Sequence, residues 1–110
     1  MSRGSAPFLK PGMAALPALA AALVAASLVM AADVRNGERL YTMHCSGCHG
    51  PNGVPQMPGA PDFKRGRALL RPDAELLRSI RRGRGAMPGY TGILTDREIL
   101  DIVAFTRTFG

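Results

Sequence analysis

The chain has 110 residues, 46% of them hydrophobic and only 5% aromatic, with 14 Lys and Arg against 8 Asp and Glu for a formal charge of +6. Two cysteines exclude the disulfide framework that staples many small secreted domains, and the length leaves room for one small domain. Beyond an apolar N-terminal stretch there is no low-complexity segment and no internal repeat.

Residues 1–12 carry Arg3 and Lys10 and no acid, and residues 13–30 (MAALPALAAALVAASLVM) are almost wholly apolar before a polar run opens at Asp33. This is the n-region and h-region pattern of a secretory signal, which sets an expected boundary of 1–32 for the signal and 33–110 for the domain. The alternative is an uncleaved anchor, because about 18 apolar residues is the lower edge of a spanning helix, here interrupted by Pro17. Either way the domain is expected outside the cytoplasmic membrane, which in a bacterium means the periplasm. Residues 33–110 are too few for a comfortable core, since chains of this size bury only about 60% of the surface their unfolded form exposes. A staple is therefore expected.

The predicted first helix starts at Asp33, a good N-cap with Glu38 early in the helix, and runs through Gly37, Leu40, Tyr41 and Met43 into Cys45-Ser46-Gly47-Cys48-His49. Two thiols three positions apart lie about one helical turn from each other and can reach the two vinyl groups of one porphyrin. The adjacent imidazole is then carried under the iron, so CxxCH predicts one covalent haem c, with Cys45 and Cys48 as thioether attachments and His49 as an axial ligand. A zinc site would need two further ligands and only His44 is at hand, while a dithiol oxidoreductase motif belongs in a longer chain of alternating strands and helices. Haem is also the missing staple, and its apolar faces fit a domain whose aromatics are Tyr41, Phe63, Tyr90, Phe105 and Phe109 alone.

Residues 50–66 are predicted to be a loop, because Pro51, Pro55, Pro58 and Pro61 with intervening glycines leave no room for a helix. A second helix is predicted over Pro72 to Arg82, with Asp73 and Glu75 against the N-terminal dipole, Leu76, Leu77 and Ile80 on one face, and Gly83 as the stop. Thr95-Asp96-Arg97-Glu98 is a capping box that opens the last helix, whose inward stripe is Ile99, Ile102, Val103 and Thr106 with Phe105 beside it. No alternating strand pattern occurs.

Over residues 33 to 110 these features together resemble a small bacterial class I cytochrome c, monohaem and His/Met ligated. The resemblance rests on the haem motif, on Gly37 and Tyr41 spaced before it, on Ile102 and Phe105 in the last helix, and on Gly83-Arg84-Gly85-Ala86-Met87-Pro88-Gly89-Tyr90. It implies an all-α cytochrome c fold, three to four short helices wrapped around one covalently bound haem, in which the first helix crosses the last at Gly37. It also implies Met87 as the distal ligand, because its segment is similar to the GxMP stretch that supplies the sulfur in that family. Met43 is pinned beside Cys45 at the porphyrin edge, and Met57, eight residues after His49, is the rival. In the same way Pro61 is implied to accept from the other ring nitrogen of His49, with Pro58 as rival. Phe63 is implied to lie against the ring, and Tyr90 to belong to the haem pocket.

His and Met at the two axial positions leave the iron no open site, so the expected function is one-electron transfer between periplasmic redox proteins, and not catalysis. The runner-up is a haem c subunit of a periplasmic dehydrogenase or reductase complex, and a third reading is a ligand-binding or peroxidatic haem protein. Residues 33–110 keep 12 Lys and Arg against 8 Asp and Glu. Lys64, Arg65, Arg67, Arg71, Arg78, Arg81, Arg82 and Arg84 fall in one run, which is either a solvated face or a set in which one or two arginines neutralise haem propionates and the rest steer partners with acidic docking surfaces. The chain is expected to be a monomer, with no nucleic-acid partner and, once the signal is cleaved, no membrane partner.

Overall fold

The computed structural model describes Gly4 and residues 31–110. The expected signal segment therefore lies almost entirely outside the described residues. Among the described residues no helix is long and apolar enough to cross a membrane.

Helix α1 is Val34–His44, opened by the Asp33 carboxylate accepting from the Asn36 amide at 3.1 Å. It does not run unbroken through the cysteine motif. Cys45 closes α1, its amide bonded to the Tyr41 carbonyl, and the one-turn helix α2, Ser46–His49, starts afresh beyond it. Helix α3 is Asp73–Arg82, with Pro72 as its N-cap residue and Gly83, at φ 76°, as its stop. Helix α4 is Asp96–Thr106, and both halves of its capping box form: Glu98 N donates to Thr95 Oγ1 at 3.1 Å and Thr95 N to Glu98 Oε1 at 3.0 Å. Short 3-10 turns at Ala68–Leu70 and Arg107–Phe109 complete the element list, and the only β pairing among the described residues is an isolated bridge between Arg84 and Met87. The expected all-α class is what the chain adopts.

The core lies where α1 and α4 cross, with α3 and the loop at Leu94 adding to it. Its buried apolar side chains are Leu40, Tyr41, Leu76, Leu94, Ile99, Ile102 and Val103. The stripe read from α4 is buried as expected, whereas Leu77 and Ile80 of α3 are only half-buried. Tyr41, Phe105 and Phe109 form an edge-to-face trio with centroids 5.1–5.3 Å apart.

Gly37 sits at the crossing, and a Cβ placed there would overlap the Asp101 carbonyl. Backbone cannot step aside as a side-chain tip can, so Gly37→Ala is expected to force the helices apart and to cost about 3 kcal/mol, read from the denaturant midpoint of the holoprotein.

One buried group was not anticipated from the sequence. Asp101, 3% exposed, accepts from Asp33 N at 2.7 Å and from Asn36 Nδ2 at 3.0 Å, with Arg97 Nε at 3.7 Å. The carboxylate ties the first turn of α1 to α4, and its hydrogen bonds offset the cost of burying a charge.

Candidate functional site

The cysteine motif occupies the junction of α1 and α2. Cys45 and Cys48 are free thiols, the first half-buried and the second exposed, with no disulfide between them. Burial, with the neighbouring Cys48 adding to it, pushes the Cys45 thiol up to about 11. Reactive dithiols carry the opposite shift, toward thiolate. Among the described residues no three His, Cys, Asp or Glu side chains gather as a metal-ion site.

His49 ends α2, and Gly50, at φ 79°, turns the chain away from it. Phe63 stacks on the imidazole with centroids 4.7 Å apart and planes 17° from parallel. Burial lowers the His49 pKa, which favours the neutral imidazole that a metal requires. Its Nδ1 is buried and has no hydrogen-bond partner, so the expected bond to the Pro61 carbonyl, or to its rival on Pro58, is not formed. The 50–63 loop instead uses its own amides for closure: Gln56 N and Met57 N both donate to the Cys48 carbonyl, at 2.9 and 3.2 Å, and Phe63 N donates to Gly53 O at 2.9 Å. That closure carries Phe63 onto the ring without bringing a carbonyl to Nδ1.

Met87 is held differently from Met57. Met57 is hydrogen-bonded through its backbone to the segment that carries His49, and its side chain is exposed. Met87 is half-buried in a loop whose two ends lie against each other. Arg84 and Met87 exchange backbone hydrogen bonds at 2.9 Å each. A Cβ on Gly83 would come within 2.6 Å of Gly89 N, and one on Gly89 within 2.7 Å of Arg82 O. Only glycine lets the strands of this loop touch, which is why the sequence brackets Met87 with Gly83 and Gly89. The far end is fixed to α3 by Tyr90 N, which donates to the carbonyls of Ile80 and Arg81 at 3.1 Å, and by Thr91 N, which donates to Arg81 O at 3.2 Å.

Tyr90 connects the two halves of the site. Its hydroxyl donates to the His44 carbonyl at 3.0 Å and its ring meets the His44 ring edge-on at 5.8 Å, so the Met87 loop is tied to the residue preceding Cys45. Tyr41 makes the matching bond on the other side, donating to Gly50 O at 2.6 Å. Burial pushes the Tyr41 phenol up to about 12 and raises that of Tyr90 as well, so both remain donors throughout the neutral range. Tyr90→Phe is expected to cost about 1 kcal/mol of holoprotein stability. If Met87 is the distal ligand, the same change should speed the displacement of the sixth ligand of the reduced protein by carbon monoxide, followed by stopped-flow absorbance.

These residues fit a covalently attached haem. Two free thiols can form the thioethers, an imidazole and a thioether can supply the axial pair, and the buried, unpaired Nδ1 marks a ring whose orientation protein hydrogen bonds alone do not set. Half-buried apolar side chains, among them Phe63, Leu69, Leu77, Ile80 and Tyr90, rim the small core and offer the surface a flat macrocycle would cover.

An all-α chain with this motif at a helix junction defines the class of protein, and comparison with known proteins agrees. A family model described as cytochrome C oxidase, cbb3-type, subunit III matches residues 32–105. The cytochrome c6 of Bumilleriopsis filiformis is 32% identical over 77 residues, which are 67% of this chain and 88% of that protein. The cytochrome c6 of Thermostichus vulcanus is 32% identical over 79 residues, covering 69% and 70%. Among solved structures, the KustC0563 c-type cytochrome aligns with a TM-score of 0.61 at 29% identity over 66% of this chain and 95% of its own. Cytochrome cL from Methylophaga aminisulfidivorans aligns with a TM-score of 0.58 at 29% identity, over 68% of this chain and 53% of its own. The chain belongs to the cytochrome c family, as a small class I monohaem member. It carries one covalently bound haem c and acts as a one-electron carrier.

Proposed function

We propose that Cys45 and Cys48 attach the haem, that His49 and Met87 are its axial ligands, and that the protein relays single electrons between periplasmic redox proteins without catalysing a reaction of its own. Bound there, the haem supplies a one-electron couple at an iron whose axial positions are both filled. The observation that carries the ligand assignment is the construction of the Met87 loop, closed on itself by the Arg84–Met87 pair and tied to the haem motif through Tyr90. The rival Met57 has its backbone bonded to the Cys48 carbonyl, on the His49 side. Absence of carbon monoxide binding by the reduced protein at neutral pH is the expected result. Rapid binding would instead point to a ligand-binding or peroxidatic haem protein.

Partners are recognised in this reading by charge. Within the basic run Arg71 is paired with Glu75 at 3.1 Å and Arg81 with Asp96 at 3.4 Å, whereas Lys64, Arg65, Arg67, Arg78, Arg82 and Arg84 are exposed. Surface cations of one sign raise the encounter rate with an acidic surface, and salt removes the effect. The bimolecular electron-transfer rate should fall steeply as the Debye length shrinks from about 30 Å at 0.01 M salt to under about 10 Å above 0.1 M. Arg81→Gln, which removes a charge already answered by Asp96, should slow association less than Arg65→Gln. A rate indifferent to salt would leave the arginines as a solvated face.

The reading places residues 1–32 as an export signal and the domain in the periplasm; intact mass of the exported holoprotein tests the boundary. A second reading is favoured by the family model, whose description names an oxidase subunit. Co-purification with a larger catalytic chain would move the protein from free carrier to haem c subunit.

A further inference from the structure

We propose that the outer face of α3 is an oxyanion site, built by Arg71, Arg78, Arg82 and Arg84, that takes a phosphate-class dianion. The helical period places Glu75, Ser79 and Arg82 on one stripe with Arg78 beside it, opposite Leu76 and Ile80, which pack toward the core. Together with Arg71, Gly83 and Arg84 these residues line a concavity of about 360 Å³. None of Cys45, Cys48, His49 or Met87 lines it, so the site is separate from the haem donors.

Among the protein's own side chains the charges of this concavity do not balance. Arg71 is oriented by two bonds, Nε to Glu75 at 3.1 Å and Nη2 to Ser79 Oγ at 3.2 Å, which consume the one carboxylate present. Among the described residues Arg78, Arg82 and Arg84 have no carboxylate within ion-pair distance. Arg78 and Arg82 stand one helical turn apart, where like charges repel. The dipole of α3 accounts for a cation in its last turn, hence for Arg82, but not for Arg78, nor for Arg84 beyond the helix end. Arg84 is returned to the rim by the positive φ of Gly83 and held there by its backbone pairing with Met87.

The carbonyls of the last turn do not oppose an anion as bare dipoles, because those of Ser79, Ile80 and Arg81 are engaged by the amides of Gly83, Tyr90 and Thr91. Three unanswered guanidinium groups suit a multivalent tetrahedral oxyanion better than a single carboxylate, since each planar fork can pair two of its oxygens. Inorganic phosphate and the phosphomonoester headgroup of phosphatidic acid share that chemistry.

The site also has a consequence for electron transfer, which rests on Met87 being the iron ligand. The Arg84–Met87 bridge puts the anion one backbone pair from the distal loop, so a bound dianion should favour the ferric state. By linkage it binds the oxidised protein more tightly and makes the potential more negative. A threefold difference in affinity corresponds to about 28 mV for one electron.

The test uses the full-length holoprotein in chloride buffers of constant ionic strength. Titration calorimetry with inorganic phosphate is expected to show one saturable site. Arg78→Gln with Arg82→Gln should weaken it at least tenfold, while Arg65→Gln with Arg67→Gln, in the same basic run but outside the concavity, should leave it unchanged. Helix content and the haem spectrum should be intact in both. Sedimentation with phosphatidic acid vesicles that free phosphate competes away would support the site with a lipid headgroup as its source; phosphate binding without vesicle binding would support it with the free ion. No saturable phosphate heat, or equal losses from the two pairs of substitutions, would overturn the proposal. A phosphate affinity independent of oxidation state would overturn only the coupling to Met87.

Discussion

Exported with Cys45→Ala and Cys48→Ala together, the chain is expected to yield no compact holoprotein. Seven buried apolar side chains make up its core, and the residues around them, from Phe63 to Phe109, are only half-buried. Ordering a residue costs about 1–2 kcal/mol of backbone entropy, which so small a buried set does not offset over a domain of this length. The half-buried rim is where a macrocycle contributes, and no side chain of the chain replaces it. Circular dichroism of the thiol-free variant should show reduced helix content and a shallow melt without a cooperative step. Full helix content with a sharp transition would mean that the α1–α4 crossing stands by itself, and that the cofactor is a passenger of the fold.

Replacing Met87 by Ala is expected to lower the reduction potential markedly and to let the reduced protein bind carbon monoxide, since a thioether favours ferrous iron and its loss opens the distal position. Met87→His should lower the potential while keeping the site closed. Met57→Ala should do neither. Spectroelectrochemistry and carbon monoxide difference spectra separate the cases: effects that follow Met57 would transfer the assignment to it, and no effect from either would point to His44 or another group.

Much of this was legible in the sequence because it is local. The Thr95–Glu98 box, the Gly83 stop and the α4 stripe each depend on neighbours within one or two turns, and each formed as read. Gly37 was legible for a different reason: its spacing before the motif resembles a family pattern whose physical cause, a backbone crossing, holds here. Asp101 was not. In sequence it is one of three acids in the last helix, and only the crossing brings Asp33 and Asn36 to it. The break at Cys45 was not legible because no proline marks it, and the interruption lies in how the motif turns away. The pairing of Arg81 with Asp96 joins residues 15 positions apart on separate helices, which no local charge count reveals. Pro61 was assigned by resemblance alone, and the loop closes through other groups.

The backbone fastenings of the Met87 loop decide what must open before that methionine can leave. Tyr90 and Thr91 donate to the carbonyls of Ile80 and Arg81, so the loop has no hinge of its own: releasing it exposes the last turn of α3. Loop and helix are thus expected to open as one cooperative unit in native-state hydrogen exchange, at a free energy below that of global unfolding. Amide protons of Tyr90 and Thr91 should exchange in step with those at the end of α3, and later than an exposed loop of this composition would suggest, while α1 and α4 stay closed. If Met87 is the iron ligand, its release is then expected to be a subglobal unfolding event of α3, at a rate set by a helix and not by a flexible loop.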